Sequence, residues 1–168
     1  MSLNPAFVGR RYPFERDYEV GREKIREFAT AVGADDPAHH DEAAARALGY
    51  PDLVAPPTFA IVATLPATNR VVADPELGLD YTRVVHFDQR FVHHRPIVAG
   101  DRLSMVLVID AIRAAAGNDV ITARTELSDP GGEPVSTVYS TLVVRGADPD
   151  PGSDAPAGSA TTAAGSAS

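Results

Sequence analysis

No cysteine occurs anywhere in the 168 residues, which excludes a disulfide framework, a thiolate nucleophile and a Cys-ligated zinc site together. There is no apolar run of about 18 or more residues, and the opening MSLNPAFVGRRYPFE lacks the apolar stretch of a signal peptide. A cytoplasmic protein with no membrane association is the expectation. Positive charge is also short: 15 Lys and Arg stand against 23 Asp and Glu, for a net charge of −8. Neutralising phosphates requires clustered basic residues, so no nucleic-acid partner is expected. What remains is ordinary: 44% hydrophobic residues over this length suit one globular domain with a real core.

The chain changes character along its length. From about residue 147 it consists of Gly, Ser, Ala, Pro, Thr and Asp with no large apolar side chain, so 147–168 is expected to be a disordered tail after a domain spanning 1–146. In the first half, REKIREFATAV (22–32) places Ile25, Phe28, Ala29 and Val32 at helical spacing, which predicts an amphipathic helix. DEAAARALGY (41–50) predicts a second, short helix closed by Gly49. VAPPTFAIVATLPATNRVVAD opens with Pro56 and Pro57, which suit a helix start. Its nearly continuous apolar run from Thr58 to Thr64 predicts burial on every side, and Pro66 predicts a bend or an early end.

The second half reads as strands: 83–97, 101–116, 119–129 and 133–145 are β-branched runs with partial alternation. The short separators AGD, AGND and PGG predict an antiparallel meander of four strands in sequence order. A wide antiparallel sheet around one apolar helix is an α+β architecture, preferred over an all-β barrel because the first half is helical.

The stretch VGADDPAHHD (32–41) carries the densest chemistry, with two adjacent carboxylates, a proline and two adjacent histidines. Asp35 or Asp36 can cap the following helix start, and His40 suits a solvated surface. His39, Asp36 and Asp35 are the candidates for acid/base work. RFVHHRP (90–96) offers His93 and His94, but neighbours on a strand face opposite ways, so they do not share a metal, and no metal site is expected. They are read as sheet surface or interface, at most a minor basic spot.

The ordered series YEVGREKIREFATAV, VGxDDP, ARALGYPDLVAPPTF, VVHFDQRF and RPIVAGDRL resembles the MaoC-like dehydratases and R-specific enoyl-thioester hydratases, over about Tyr18–Gly146. The likeness is strongest to the HadA-type subunit of the (3R)-hydroxyacyl-ACP dehydratase. The resemblance implies a hot-dog fold, an antiparallel sheet wrapped around a buried central helix. It implies reversible loss of water from a (3R)-3-hydroxyacyl thioester with no cofactor, and acyl-CoA or acyl-ACP as partner. It also implies a homodimer, or a heterodimer with a HadB-like catalytic subunit, and puts Asp88 and Gln89 on a strand where subunits meet.

The family's loop is approximately GDxNPxH. Anchored on Pro37, His39 falls on its histidine, Asp36 on its asparagine, and Ala34 where the catalytic aspartate stands. At the helix start, Pro57 falls where a glycine N–H faces the thioester oxygen, and proline has no N–H. Both departures fit a subunit that shapes the acyl channel, with Pro57, Thr58, Phe59, Ile61 and Val62 lining or supporting it or packing in the core. Two repairs stay open: Asp35 with His40, which keep the five-residue separation, or Asp35 or Asp36 turned inward beside His39. An acyl-thioester-binding protein without catalysis is the alternative from another class.

Overall fold

The helix expected at 22–32 forms with those bounds: α1 (Arg22–Val32) buries Ile25 and Ala29 in the computed structural model, which describes residues 3–146. The expected tail, 147–168, lies outside the described residues. The second predicted helix is α2 (Glu42–Ala47), started by the Asp41 carboxylate, which accepts from the Ala44 N–H at 2.7 Å. It ends where Gly49 takes φ +89°, so that the Gly49 and Tyr50 N–H groups reach back to the carbonyls of Arg46 and Ala45.

The central helix is α3 (Ala60–Val72), and it departs from expectation twice. It runs on through Pro66, because Pro66 sits on the exposed side while the turns beyond it are held by buried Ala67, Val71 and Val72. It is also not buried all round: Leu65 is 50% exposed, and the inward face is mostly small, with Ala60, Ala63 and Ala67 letting the helix approach the sheet closely. None of the helices among the described residues is long and apolar enough to cross a membrane.

The sheet comprises β1 (Arg11–Pro13), β2 (Tyr18–Glu19), β3 (Val84–His93), β4 (Arg102–Ala115), β5 (Asn118–Ser128) and β6 (Pro134–Val144). Its order is β1-β4-β5-β6-β3, with β2 also on β4, and every pairing is antiparallel. Two predicted hairpins form. β4 turns into β5 through Ala116 and Gly117, both at positive φ, the requirement of the two-residue turn that follows strand twist. β5 turns into β6 around Asp129, whose carboxylate accepts from Gly131 and Glu133 N–H groups.

The third predicted hairpin does not form. β3 pairs with β6 at the sheet edge instead of with β4. Residues 94–101 are engaged elsewhere: Ala55 N–H donates to Ile97 O (2.8 Å), Ala99 N–H to Leu53 O (2.9 Å), and Val54 bridges Val98. That segment therefore crosses back to β4 beside the start of α3, braced by a two-pronged Arg95–Asp101 ion pair at 2.8 and 3.0 Å. α3 spans two core clusters. Phe59, Ala60 and Ala63 pack with Ile25, Leu53, Leu103 and Val138, and Ala67 and Val71 pack with Leu107, Ile109, Ile121 and Leu142.

Candidate functional site

Two depressions follow one another along α3. The first, about 510 Å³, lies at the helix start and gathers Asp36, His39, Val54 and Pro57 with His93 and Arg95. Its floor is built by the loop after α1. Gly33, at φ +68°, ends α1 and lets Ala34 N–H reach Ala29 O at 2.8 Å. Asp36 then accepts from the Ala38 N–H at 2.9 Å, capping a single 3₁₀ turn, Pro37–His39. The capping expected of these carboxylates is there, but it serves this turn, while α2 is capped by Asp41.

The turn aims His39 at the groove. Its Nδ1 lies 2.7 Å from Val54 O, and a carbonyl only accepts, so Nδ1 carries the proton in the neutral ring. Nε2 is then left with a lone pair for chemistry. His40 turns the other way: its Nε2 donates to Ala34 O at 3.0 Å, while Arg26 Nε holds the His40 carbonyl at 2.9 Å. It is half-buried, which corrects the expectation of a solvated surface histidine. Asp35 is exposed, and neither Asp35 nor His40 lines the groove, so the shifted Asp35/His40 pair is not assembled there.

Ala34 offers this loop only a methyl group and a carbonyl that is already bonded by His40. At the helix start Pro57 has no N–H, and the Phe59 N–H is engaged by Pro56 O at 2.9 Å, which leaves those of exposed Thr58 and buried Ala60. An ion-pair cluster steadies these pieces. Arg22 on α1 bonds the Asp52 carboxylate at 2.6 Å and Glu42 at 2.8 Å, tying α1, α2 and the strand-like approach to α3 together. The hydrogen bond from Arg22 holds the Asp52 carboxyl below the usual carboxylate range.

His93 and His94 both line this groove. β3 ends at His93, so strand alternation no longer governs His94. Each ring is tethered to β6, His93 Nδ1 to Ser136 Oγ at 3.2 Å and His94 Nε2 to Thr137 Oγ1 at 3.4 Å. Among the described residues no group of three or more His, Asp and Glu is arranged to hold a metal ion.

The second depression, about 340 Å³, lies farther along α3 and uses Ile61, Leu65, Asn69 and Val72 with Val84, His86 and Gln89 of β3 and Ser140 and Leu142 of β6. Of the channel residues expected from sequence, Pro57 lines the first depression and Ile61 the second. Val62 packs against the core, Thr58 is exposed, and Phe59 is fully buried. Phe59 meets Tyr18 and Phe28 edge-on, with centroids at 6.5 and 5.6 Å, so it supports the groove from the core. His86 and Gln89 were not foreseen as cavity residues. They share a face only because a bulge at Phe87 breaks the pairing between His86↔Leu142 and Asp88↔Thr141.

Comparison with known proteins agrees with this fold. The family model described as FAS1-like, dehydratase domain region, matches residues 6–138. The UPF0336 protein of Saccharopolyspora erythraea is 56% identical over 156 residues, 92% of this chain and all of the relative. A solved MaoC-like dehydratase superposes with TM-score 0.79 at 39% identity over 84% of this chain. This chain spans only 43% of that one. The HadBC (3R-hydroxyacyl-ACP dehydratase) complex from Mycobacterium tuberculosis gives TM-score 0.74 at 32% identity, covering 84% of this chain and 99% of the chain it matches.

Proposed function

Because the chain belongs to the MaoC-like hot-dog dehydratase family, we propose that it is the acyl-binding subunit of a cytoplasmic (3R)-3-hydroxyacyl-thioester dehydratase, in reverse an enoyl-thioester hydratase. Its substrate is carried on CoA or ACP, and the full catalytic pair comes from a second hot-dog chain. One observation carries this reading. The groove keeps a correctly polarised histidine, His39, but Ala34 supplies no carboxylate and Asp36 is engaged by Ala38 N–H. The heterocomplex among the structural neighbours supports it from outside.

The reaction sets the requirement. A base removes the α-proton, the β-hydroxyl leaves as water after receiving a proton, and negative charge grows on the thioester oxygen. His39 Nε2 can hold one of those protons. Without the N–H that Pro57 lacks, one donor to the oxygen is missing, and loss of such a donor typically costs about 2.7–4 kcal/mol in the barrier. The remaining task suited to this chain is to wall the acyl chain along α3, where Ile61 and Leu65 present apolar surface.

A second reading has its own observation: Asp36 and His39 line the same groove. In that case the chain is a self-sufficient homodimeric R-specific hydratase, with the Thr58 N–H as the oxyanion donor. Hydration of crotonyl-CoA and longer 2-enoyl-CoAs by the purified chain, alone and with a partner bearing an intact GDxNPxH loop, separates the two. The acyl-binding reading expects no turnover alone and, with the partner, a gain on long chains over the partner's own rate. Turnover by the chain alone, abolished by His39→Ala, establishes the homodimer instead. No effect with any partner leaves thioester binding without catalysis.

A further inference from the structure

Among the described residues, Nε2 of Gln89 is the buried side-chain nitrogen or oxygen that has no hydrogen-bond partner. The other end of that amide is engaged, since Ser140 Oγ donates to Oε1 at 3.1 Å. A donor withdrawn from water without replacement is unfavourable, and native proteins keep few of them. Gln89 lines the second depression, and the terminal torsion of Gln is a broad, soft well, so an acceptor entering the cavity can draw Nε2 toward it.

The surroundings repeat the theme. Ile61, Leu65, Val72, Val84 and Leu142 make an apolar wall, yet Asn69, Tyr81 and His86 also line the cavity. These three are exposed and stay hydrated beside a hydrocarbon chain, so the buried Gln89 amide is the polar group that such a chain would leave unmatched. The bulge at Phe87 is what turns His86 to the same side as Gln89, so the polar cluster depends on a specific irregularity of β3. Four residues of β3 separate Gln89 from His93 in the first groove, roughly 13 Å at strand rise, so the polar cluster lies well away from the thioester end.

We propose that Gln89 is a specificity-determining residue that selects acyl chains carrying an oxygen, as a keto or hydroxyl group, several carbons from the thioester. The proposal rests on the reading of the chain as an acyl-thioester-binding subunit and goes beyond it by naming the class of chain. The amide N–H of Gln89 donates to that oxygen, and the Ser140 hydroxyl keeps the amide oriented.

The test is calorimetric titration of the full chain with a saturated long-chain acyl-CoA and with the same acyl chain bearing a keto or a hydroxyl group at successive mid-chain positions. Saturated thioesters are used so that binding is read without turnover. At one position the oxygenated chain is expected to bind about tenfold tighter than the plain one, the upper end for one net hydrogen bond. Gln89→Leu should reduce that preference to about twofold or less, and Ser140→Ala should reduce it partly while leaving the donor in place. Gln89→Met serves if the leucine variant does not fold. Equal affinities in the unaltered protein, a preference that survives both Gln89 variants, or no binding of either chain would overturn the proposal. Hydration is assayed in parallel: a binding preference with no turnover under any partner sinks the dehydratase reading alone, whereas turnover without preference sinks this inference alone.

Discussion

The two depressions along α3 differ in how their polar groups are treated at rest. In the groove at the helix start each one is tied to the chain itself: His39 to Val54, Asp36 to Ala38, His93 to Ser136, Arg95 to Asp101. In the pocket farther along, the Gln89 amide is left half-matched. The first region is held by internal hydrogen bonds that fix a reactive ring nitrogen, which is what preorganised chemistry requires. The second keeps unmet bonding capacity, which suits recognition of something brought in from outside.

The largest break falls where both regions share support. Phe59 is fully buried beneath the start of α3, against Tyr18 and Phe28. Phe59→Ala should lose about 3–5 kcal/mol of unfolding free energy in urea or guanidinium, the usual range for a buried Phe. Binding in both depressions should suffer together, since Phe59 lies between Pro57 of the first and Ile61 of the second. A loss below about 1 kcal/mol would mean that the core at this point is not the rigid floor described.

Smaller substitutions separate the regions. His39→Ala leaves the part-buried Val54 carbonyl without its partner and should cost about 1–2 kcal/mol. Asp36→Ala removes the cap on Ala38 N–H and should cost about 1 kcal/mol. Gln89→Leu, by contrast, should cost less than about 1 kcal/mol, because the donor it removes had no partner and this offsets the loss of the Oε1 that accepts from Ser140. Denaturant midpoints of these three variants test the contrast directly. If Gln89→Leu destabilises as much as His39→Ala, the amide is structural and the distinction between the regions fails.

The same contrast explains what could be read from sequence. The groove is made of short-range pieces: a helix of clear periodicity, Gly33 ending it, Asp36 and Pro37 setting a turn, and His39 two residues on. Each is local chemistry, so α1, α2, the four long strands and the loop carrying His39 were legible, whereas the short β1 and β2 were not. The pocket is made of long-range facts. It needs β3 beside β6 and not beside β4; the groove's far wall was hidden in the same way, since residues 94–101 gave no sign that they would pair with 53–55 in place of a hairpin. It also needs the bulge at Phe87, since strict alternation puts His86 and Gln89 on opposite faces. Pro66 marks a limit of another kind: local preference argued for a stop, and burial of Ala67, Val71 and Val72 outweighed it.

The smallest expected effect concerns the clamp that steadies the groove from behind. The Arg22 hydrogen bond holds the Asp52 carboxyl below its ordinary 3.8 in the folded chain. A carboxyl with a lowered folded pKa contributes stability that is complete above its unfolded value and disappears as the pH falls through the folded one. Acid should therefore loosen the clamp only below about pH 4, and with Arg22 45% exposed the contribution is small because solvent screens the pair. Asp52→Asn should flatten the acid limb of unfolding free energy against pH, measured by denaturant titration from about pH 5 to pH 2. The limb should shrink without vanishing. Glu126, bonded by Arg124, and Asp80, bonded by Thr82, are lowered in the same sense and remain. Because Arg22 also holds Glu42, the loop carrying His39 keeps one anchor in the variant, so long-chain thioester affinity at neutral pH should change less than under His39→Ala. A larger loss of affinity in Asp52→Asn would place the control of the groove in the clamp and not in the loop's own hydrogen bonds.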